Sequence, residues 1–178
     1  MRSLPERSNR NRICGMSVDD FLNRIKSFHG FTAPGVVLGG LMTDLALERM
    51  GPDIEFDAVA ESTHCLPDAV QLFTPCTIGN GWLKVIDWDK FAITLYDRHK
   101  LNGFRIWLDL KKAENFPIVY KWYMRLADKK KLPLNVVLDA IFEAERKVLS
   151  SRPAIMTSRF KRKKKERIAI CEKCREAY

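Results

Sequence analysis

The stretch "PGVVLGGLMTDLALERMG", residues 34–51, constrains this chain more than any other. It reads as a helix, with Pro34 in its first turn and Gly51 just past its end. Gly35, Gly39 and Gly40 fall on overlapping turns of that helix. Each glycine costs a helix roughly 1 kcal/mol relative to alanine. Three in two turns therefore predict that another backbone is pressed close against it. The preceding "SVDDFLNRIKSF" predicts a second helix, capped by Ser17 with Asp20 at the capping-box position. Its apolar stripe is Phe21, Leu22, Ile25 and Phe28. His29 and Gly30 sit at the joint between the two helices, where a histidine can serve as a ligand, a proton carrier or a cap.

Further along, "FDAVAEST" predicts a buried strand and "HCLPDAVQLFT" a short helix opening on His64 and Cys65. "PCTIGNGW" is a glycine-bearing turn that carries Cys76. Its Gly79 and Gly81 are too few and wrongly spaced for a phosphate-binding loop, and a tight turn feeding a strand is the default. "WLKVIDW", "FAITLYD" and "FRIWLDL" predict three strands of a meander. "NFPIVYKWYMRLADKKK" and "PLNVVLDAIFEAERKVLS" predict two helices. Helices, then strands around one helix, then helices again imply an α+β fold: a mostly antiparallel sheet with helices packed on one face, plus a basic C-terminal tail.

Charge divides the chain in the same way. Of the net +9, residues 1–12 carry four Arg and one Glu, or +3, and residues 152–178 carry ten Lys or Arg and three Glu, or +7. The remaining 13–151 therefore total −1. The expected organisation is a flexible basic arm over 1–15, a core domain over 16–151, and a basic tail over 152–178. High basicity speaks only to what the two ends touch. No run of about 18 apolar residues predicts a membrane span, and the basic N-terminus lacks the apolar segment of a signal peptide. A cytoplasmic protein with reduced thiols is expected, because five widely spaced cysteines make no disulfide framework.

His29, His64, Cys65 and Cys76 each fall at the end of an element. Imidazole and thiolate together suit a divalent metal, zinc above all. The plainer alternative is that each cysteine is a small buried apolar residue and each histidine a cap. Asp68, and Gln71 after it, could orient such ligands; Asp68 could equally favour the helix N-terminus. Tyr96, Asp97 and Arg98 close a strand and could add polar groups or stabilise a turn. In the tail, "CEKC" places Cys171 and Cys174 at the spacing of half a zinc ribbon. Cys14, the core or a partner chain could complete it; otherwise the pair is a remnant or a redox dithiol. "RFKRKKKER" could bind phosphate groups or be a solvated charged segment.

Four blocks in order, "FHG" followed by "PG" and a glycine-containing helix at 28–40, "CLPDAVQ" at 65–71, "CTIGNG" at 76–81 and "FAITLYDR" at 91–98, resemble the E-subunit family of formylmethanofuran dehydrogenase. The resemblance covers about residues 17–150, with a weaker echo in the tail. It implies an α+β core, often dimeric, often followed by a C-terminal treble-clef zinc finger. It also implies a core metal cluster, whose matching positions are His29, Cys65 and Cys76. The family's joint reads His-Gly-His-x-Cys-Pro-Gly; here Phe31 and Ala33 stand in place of the second His and the Cys. His64 would compensate as a fourth ligand.

Two functions follow as expectations. One is a metal-binding accessory or metal-dependent protein, with zinc or another transition metal on His29, His64, Cys65 and Cys76 or on Cys171 and Cys174, and no identifiable substrate. The other is a non-catalytic homodimer that applies its basic tail to nucleic acid or an acidic protein.

Overall fold

A computed structural model describes residues 12–128, 132–160 and 167–177. Most of the basic arm, residues 1–11, and the lysine-rich run 161–166 lie outside the described residues. The elements in chain order are α1 (Val18–His29), α2 (Pro34–Met50), β1 (Phe56–Ala60), α3 (Leu66–Phe73), β2 (Leu83–Val85), β3 (Ala92–Asp97), β4 (Asn102–Leu108), α4 (Leu110–Ala113), α5 (Pro117–Tyr123), α6 (Leu134–Ala144) and β5 (Leu149–Ile155), with a short 3-10 turn before β5. The fold is α+β.

Helix α1 begins as its sequence predicts: the Ser17 hydroxyl accepts the Asp20 amide at 3.1 Å. It stops at Gly30, whose φ of 89° lies in the left-handed region and whose amide returns to the Lys26 carbonyl. Helix α2 is buried along most of its length and packs on the sheet and on α3. Its glycines admit these neighbours. A Cβ on Gly39 would stand 2.7 Å from the Ala69 Cβ, and one on Gly35 would stand 2.6 Å from the Cys65 Sγ. The close approach is real, and it is to side chains: those of α3 and the residue before it and, at Gly40, that of Phe21 in α1.

The sheet order is β2-β1-β3-β4-β5. All pairings are antiparallel except β1 with β2. This corrects the meander: β2 does not pair with β3. Strand β1 lies between them, and the β1–α3–β2 connection makes its pair parallel. The last predicted helix is also shorter than expected. It ends at Ala144, and the chain then runs through Ile155 as β5 beside β4. Pro153 is tolerated because β5 is an edge strand.

Alternation sends Ala58, Ala60, Ile93, Leu95 and Ile106 into the helical core. Asp57, Val59, Thr94, Tyr96 and Arg105 take the opposite face by the same register. The arm is anchored earlier than expected: Ile13 is buried, and the Cys14 amide donates to Asp44 Oδ1 at 2.7 Å. None of the described helices is long and apolar enough to cross a membrane.

Candidate functional site

The joint that carries His29 faces the first turn of α3. His29 is the last residue of α1, and its Nδ1 lies 2.6 Å from Asp68 Oδ2. The Phe31 ring stands 5.3 Å from the imidazole and is half exposed. Cys65 is the residue before α3, with φ 59° and ψ −46°. The Leu66 amide reaches back to the His64 carbonyl at 2.6 Å, which closes a γ-turn of the rare positive-φ form around Cys65. The thiol fits there only because Gly35 has no side chain. Burial first, and the Asp68 carboxylate second, push the Cys65 thiol above its ordinary value. His64 is exposed. The end of the core opposite the β1 N-terminus thus brings His29, Asp68 and Cys65 near one another.

Cys76 lies elsewhere. Its thiol faces the Phe56 carbonyl at 3.4 Å, at the start of β1, whereas Cys65 follows the end of that strand. The five residues of β1 and the eight of α3 separate the two ends, and an eight-residue helix is about 12 Å long. Burial drives the Cys76 thiol up to about 11. Burial likewise raises Cys14. The expected cluster of His29, His64, Cys65 and Cys76 is therefore not assembled. Among the described residues no group of three or more His, Cys, Asp or Glu side chains could hold a metal ion. Phe31 and buried Ala33 bring no donor atom in their side chains to that joint.

The remaining expected positions serve the turns. Gln71 Oε1 accepts the Ile78 amide, and Asn80 Oδ1 accepts the amides of Thr77 and Trp82. With those amides bonded internally, "PCTIGNGW" is a closed turn. Asp97 Oδ1 accepts the amides of Lys100 and His99, which hold its carboxyl below the usual range. Burial, with the Asp57 charge, raises Tyr96 to about 12.

Sequence reasoning missed the polar face of the sheet. Glu61, whose side chain is 4% exposed, accepts Arg105 Nε at 2.6 Å and Nη2 at 2.7 Å. Asp57 accepts Arg98 Nε at 2.9 Å and Arg159 Nε at 3.2 Å. The Arg105 and Arg152 guanidinium groups lie 5.4 and 6.0 Å from the Trp107 ring centre. Period-two alternation in β1 and β4 was the available signal, since it puts Asp57 and Glu61 on one face with Arg105 and Trp107.

The tail forms a small hairpin. Ile170 bridges Ala177, the Cys171 amide donates to the Glu176 carbonyl, and the Arg175 amide donates to the Cys171 carbonyl, both at 2.8 Å. The amides of Cys174 and Lys173 point to the Cys171 sulfur and hold that thiol below its ordinary value. Cys174 is exposed and its Sγ lies 3.6 Å from Glu176 Oε2. Two thiols at this spacing supply two of the four donors that a tetrahedral thiolate site takes.

An α+β domain with a His–Asp contact and a thiol at one end of its sheet, followed by a two-cysteine hairpin, is the class of protein this geometry defines. Residues 28–170 match the family described as FmdE, Molybdenum formylmethanofuran dehydrogenase operon. The chain belongs to the FmdE family. It is also similar to a crystallised FmdE-like protein of the tungsten formylmethanofuran dehydrogenase type from Syntrophus aciditrophicus, with 38% identity and a TM-score of 0.82 over 94% of this chain and 88% of that one. A curated relative from Archaeoglobus fulgidus, named "Probable S-adenosyl-L-methionine-binding protein", is 35% identical over 105 residues. That match covers 53% of this chain and 28% of the relative, so the chain spans little more than a quarter of that protein's length.

Proposed function

We propose that the chain is a metal-binding accessory protein of the FmdE family, in which zinc is held by the tail cysteines and not by the core. The observation that carries this is the hairpin that places Cys171 and Cys174 in one turn, closed by the Cys171–Glu176 and Arg175–Cys171 backbone bonds, with Cys174 exposed. The core alternative has its cysteines at opposite ends of a helix. Cys171 and Cys174 would supply two of the ion's four ligands, and zinc held there would act as a cross-link of the tail. The test is metal content of the untagged full chain, its Cys65→Ser variant and its Cys171→Ser/Cys174→Ser variant. Zinc kept in the first variant and lost in the second is expected. Zinc lost with Cys65→Ser would return the metal to the core, and absence of zinc from all three would remove the reading.

A second reading rests on Trp107 with Arg105 and Arg152, on the sheet face away from the helices. Aromatic rings among cations suit single-stranded nucleic acid. Binding of a labelled oligonucleotide should weaken steeply with salt and weaken again in Trp107→Ala. An unchanged affinity in that variant would confine any binding to the tail.

A further inference from the structure

We propose that a single-stranded nucleic acid lies across all five strands of the sheet, at right angles to them, with its phosphates on Lys84 at one edge and Arg152 at the other. This rests on the sheet-face reading above and adds the track: which cations take phosphates, and Trp82 as a second aromatic platform.

One row of the outer face runs from edge to edge. Lys84 pairs with Val59, Val59 with Thr94, Thr94 with Arg105, and Arg105 with Arg152. Paired residues share a face, so all five point away from the helices. Four inter-strand steps separate the ends of the row by about 19 Å. Its middle is low, because Val59 and Thr94 are short side chains, 4% and 6% exposed. Trp107 stands two residues along β4 from Arg105, and Trp82 two residues before Lys84. By alternation both indoles take this face, one on either side of the row and each near one end.

The carboxylates of the face decide which cations are free. Glu61 takes both prongs of Arg105. Asp57 takes Arg98 and Arg159, and Arg98 also reaches Glu55 at the rim, 3.5 Å away. Both groups are balanced in charge. Their arginines lie against the rings: Arg105 is 5.4 Å from the Trp107 centre and Arg98 is 4.0 Å from the Trp82 centre. Lys84 and Arg152 have no carboxylate partner among the described residues. The surplus positive charge of the row therefore sits at its two ends. Aromatic faces between separated cations suit a flexible polyanion whose bases can stack. An acidic peptide would use the charge and leave the indoles idle. A duplex keeps its base faces stacked on one another.

The experiment follows the fluorescence anisotropy of a labelled oligothymidylate on the full-length chain over a range of salt concentrations, with unlabelled duplex DNA and polyglutamate as competitors. Lys84→Gln and Arg152→Gln should each lower the slope of log affinity against log salt by about 0.7, the share of one phosphate contact on a single strand. Trp107→Ala should weaken binding about fivefold or more with the slope unchanged, and Trp107→Phe should recover part of the loss. Trp82 packs against the core, so Trp82→Leu is the variant that keeps an apolar side chain there and removes the stacking face; it should weaken binding by a similar factor. Far-ultraviolet circular dichroism checks that each variant is folded. A slope or affinity changed at Arg152 and Trp107 but not at Lys84 and Trp82 confines the strand to one end, which overturns the crossing and leaves the sheet-face reading standing. Duplex or polyglutamate competing as well as the unlabelled single strand overturns both. Binding untouched by all these substitutions resides in the tail and also overturns both, as does no binding at all.

Discussion

His29 Nδ1 and Asp68 Oδ2, 39 residues apart in sequence, meet at 2.6 Å and tie the end of α1 to the first turn of α3. The contact is part-buried, with the two side chains 21% and 33% exposed. A hydrogen bond of this kind contributes about 0.5–1.5 kcal/mol net. Asp68→Ala should lower urea stability by that amount, with a further loss of a few tenths for an acidic group at a helix N-terminus. His29→Ala should share the first part. A double-mutant cycle isolates it, and a coupling energy indistinguishable from zero would show that the contact is only a neighbour relation.

The packing of α3 on α2 gives a second expectation. Gly39→Ala would gain roughly 1 kcal/mol of helix propensity. The new Cβ, however, would stand 2.7 Å from the Ala69 Cβ and 3.1 Å from Leu66 Cδ2. Overpacking of this sort costs about 1–3 kcal/mol, so the variant should be net destabilised in thermal or urea unfolding. Adding Ala69→Gly should restore part of the loss. A Gly39→Ala protein more stable than the parent would mean that α3 can shift outward at little cost.

Much of this was legible in the sequence, and the failures have physical causes. Ser17, Gly30, Pro34 and Gly51 mark the two first helices because caps and breakers act locally. Strand partners are not local. The short run Leu83–Val85 looks the same whether it pairs with β3 or, as it does, with β1. Strand β5 was hidden because "SSRPAI" is polar and contains a proline, as an edge strand can be. The Cys65–Cys76 separation was readable in principle: residues flanking both ends of one helix stand a helix length apart. The His29–Asp68 contact was not readable from periodicity, since only the packing of α1 and α3 on α2 creates it.

The Glu61–Arg105 pair predicts a large asymmetry between single and double substitution. Glu61 is nearly inaccessible, and the two-pronged Arg105 contact compensates its charge. Arg105→Met leaves that carboxylate buried without its partner, at a cost of about 3–5 kcal/mol. Glu61→Leu with Arg105→Met removes both charges and should recover most of the loss. Equal stability of the single and double variants, read by urea unfolding, would mean that water reaches Glu61 once the arginine is gone.

Thiol accessibility makes an ordered labelling experiment. Cys14 and Cys76 are held above their ordinary values chiefly by burial, and Cys65 is raised by burial and by Asp68. Alkylation of the native metal-free chain at neutral pH should therefore modify Cys171 and Cys174 first, with Cys76 labelled only on unfolding. Peptide mapping after short exposures reads the order. Early modification of Cys76 would show that the Phe56 end of β1 opens in the native state.

The acid limb of the stability curve should carry a contribution from Asp109. Its side chain accepts the Ser150 hydroxyl at 2.6 Å, then the amides of Lys112 and Lys111, and these hold its carboxyl below the usual value. A folded-state value below the unfolded one means that the ionised form is favoured by folding. The contribution is complete above the unfolded value and is lost as the pH falls through the folded one. Between about pH 5 and pH 2, Asp109→Asn should lose stability less steeply than the parent, because an amide cannot be protonated in that range. At neutral pH the variant should be the less stable of the two, since a neutral acceptor makes weaker hydrogen bonds than a carboxylate. Parallel slopes for the two proteins on the acid side would show that the Ser150 contact opens before the carboxylate titrates.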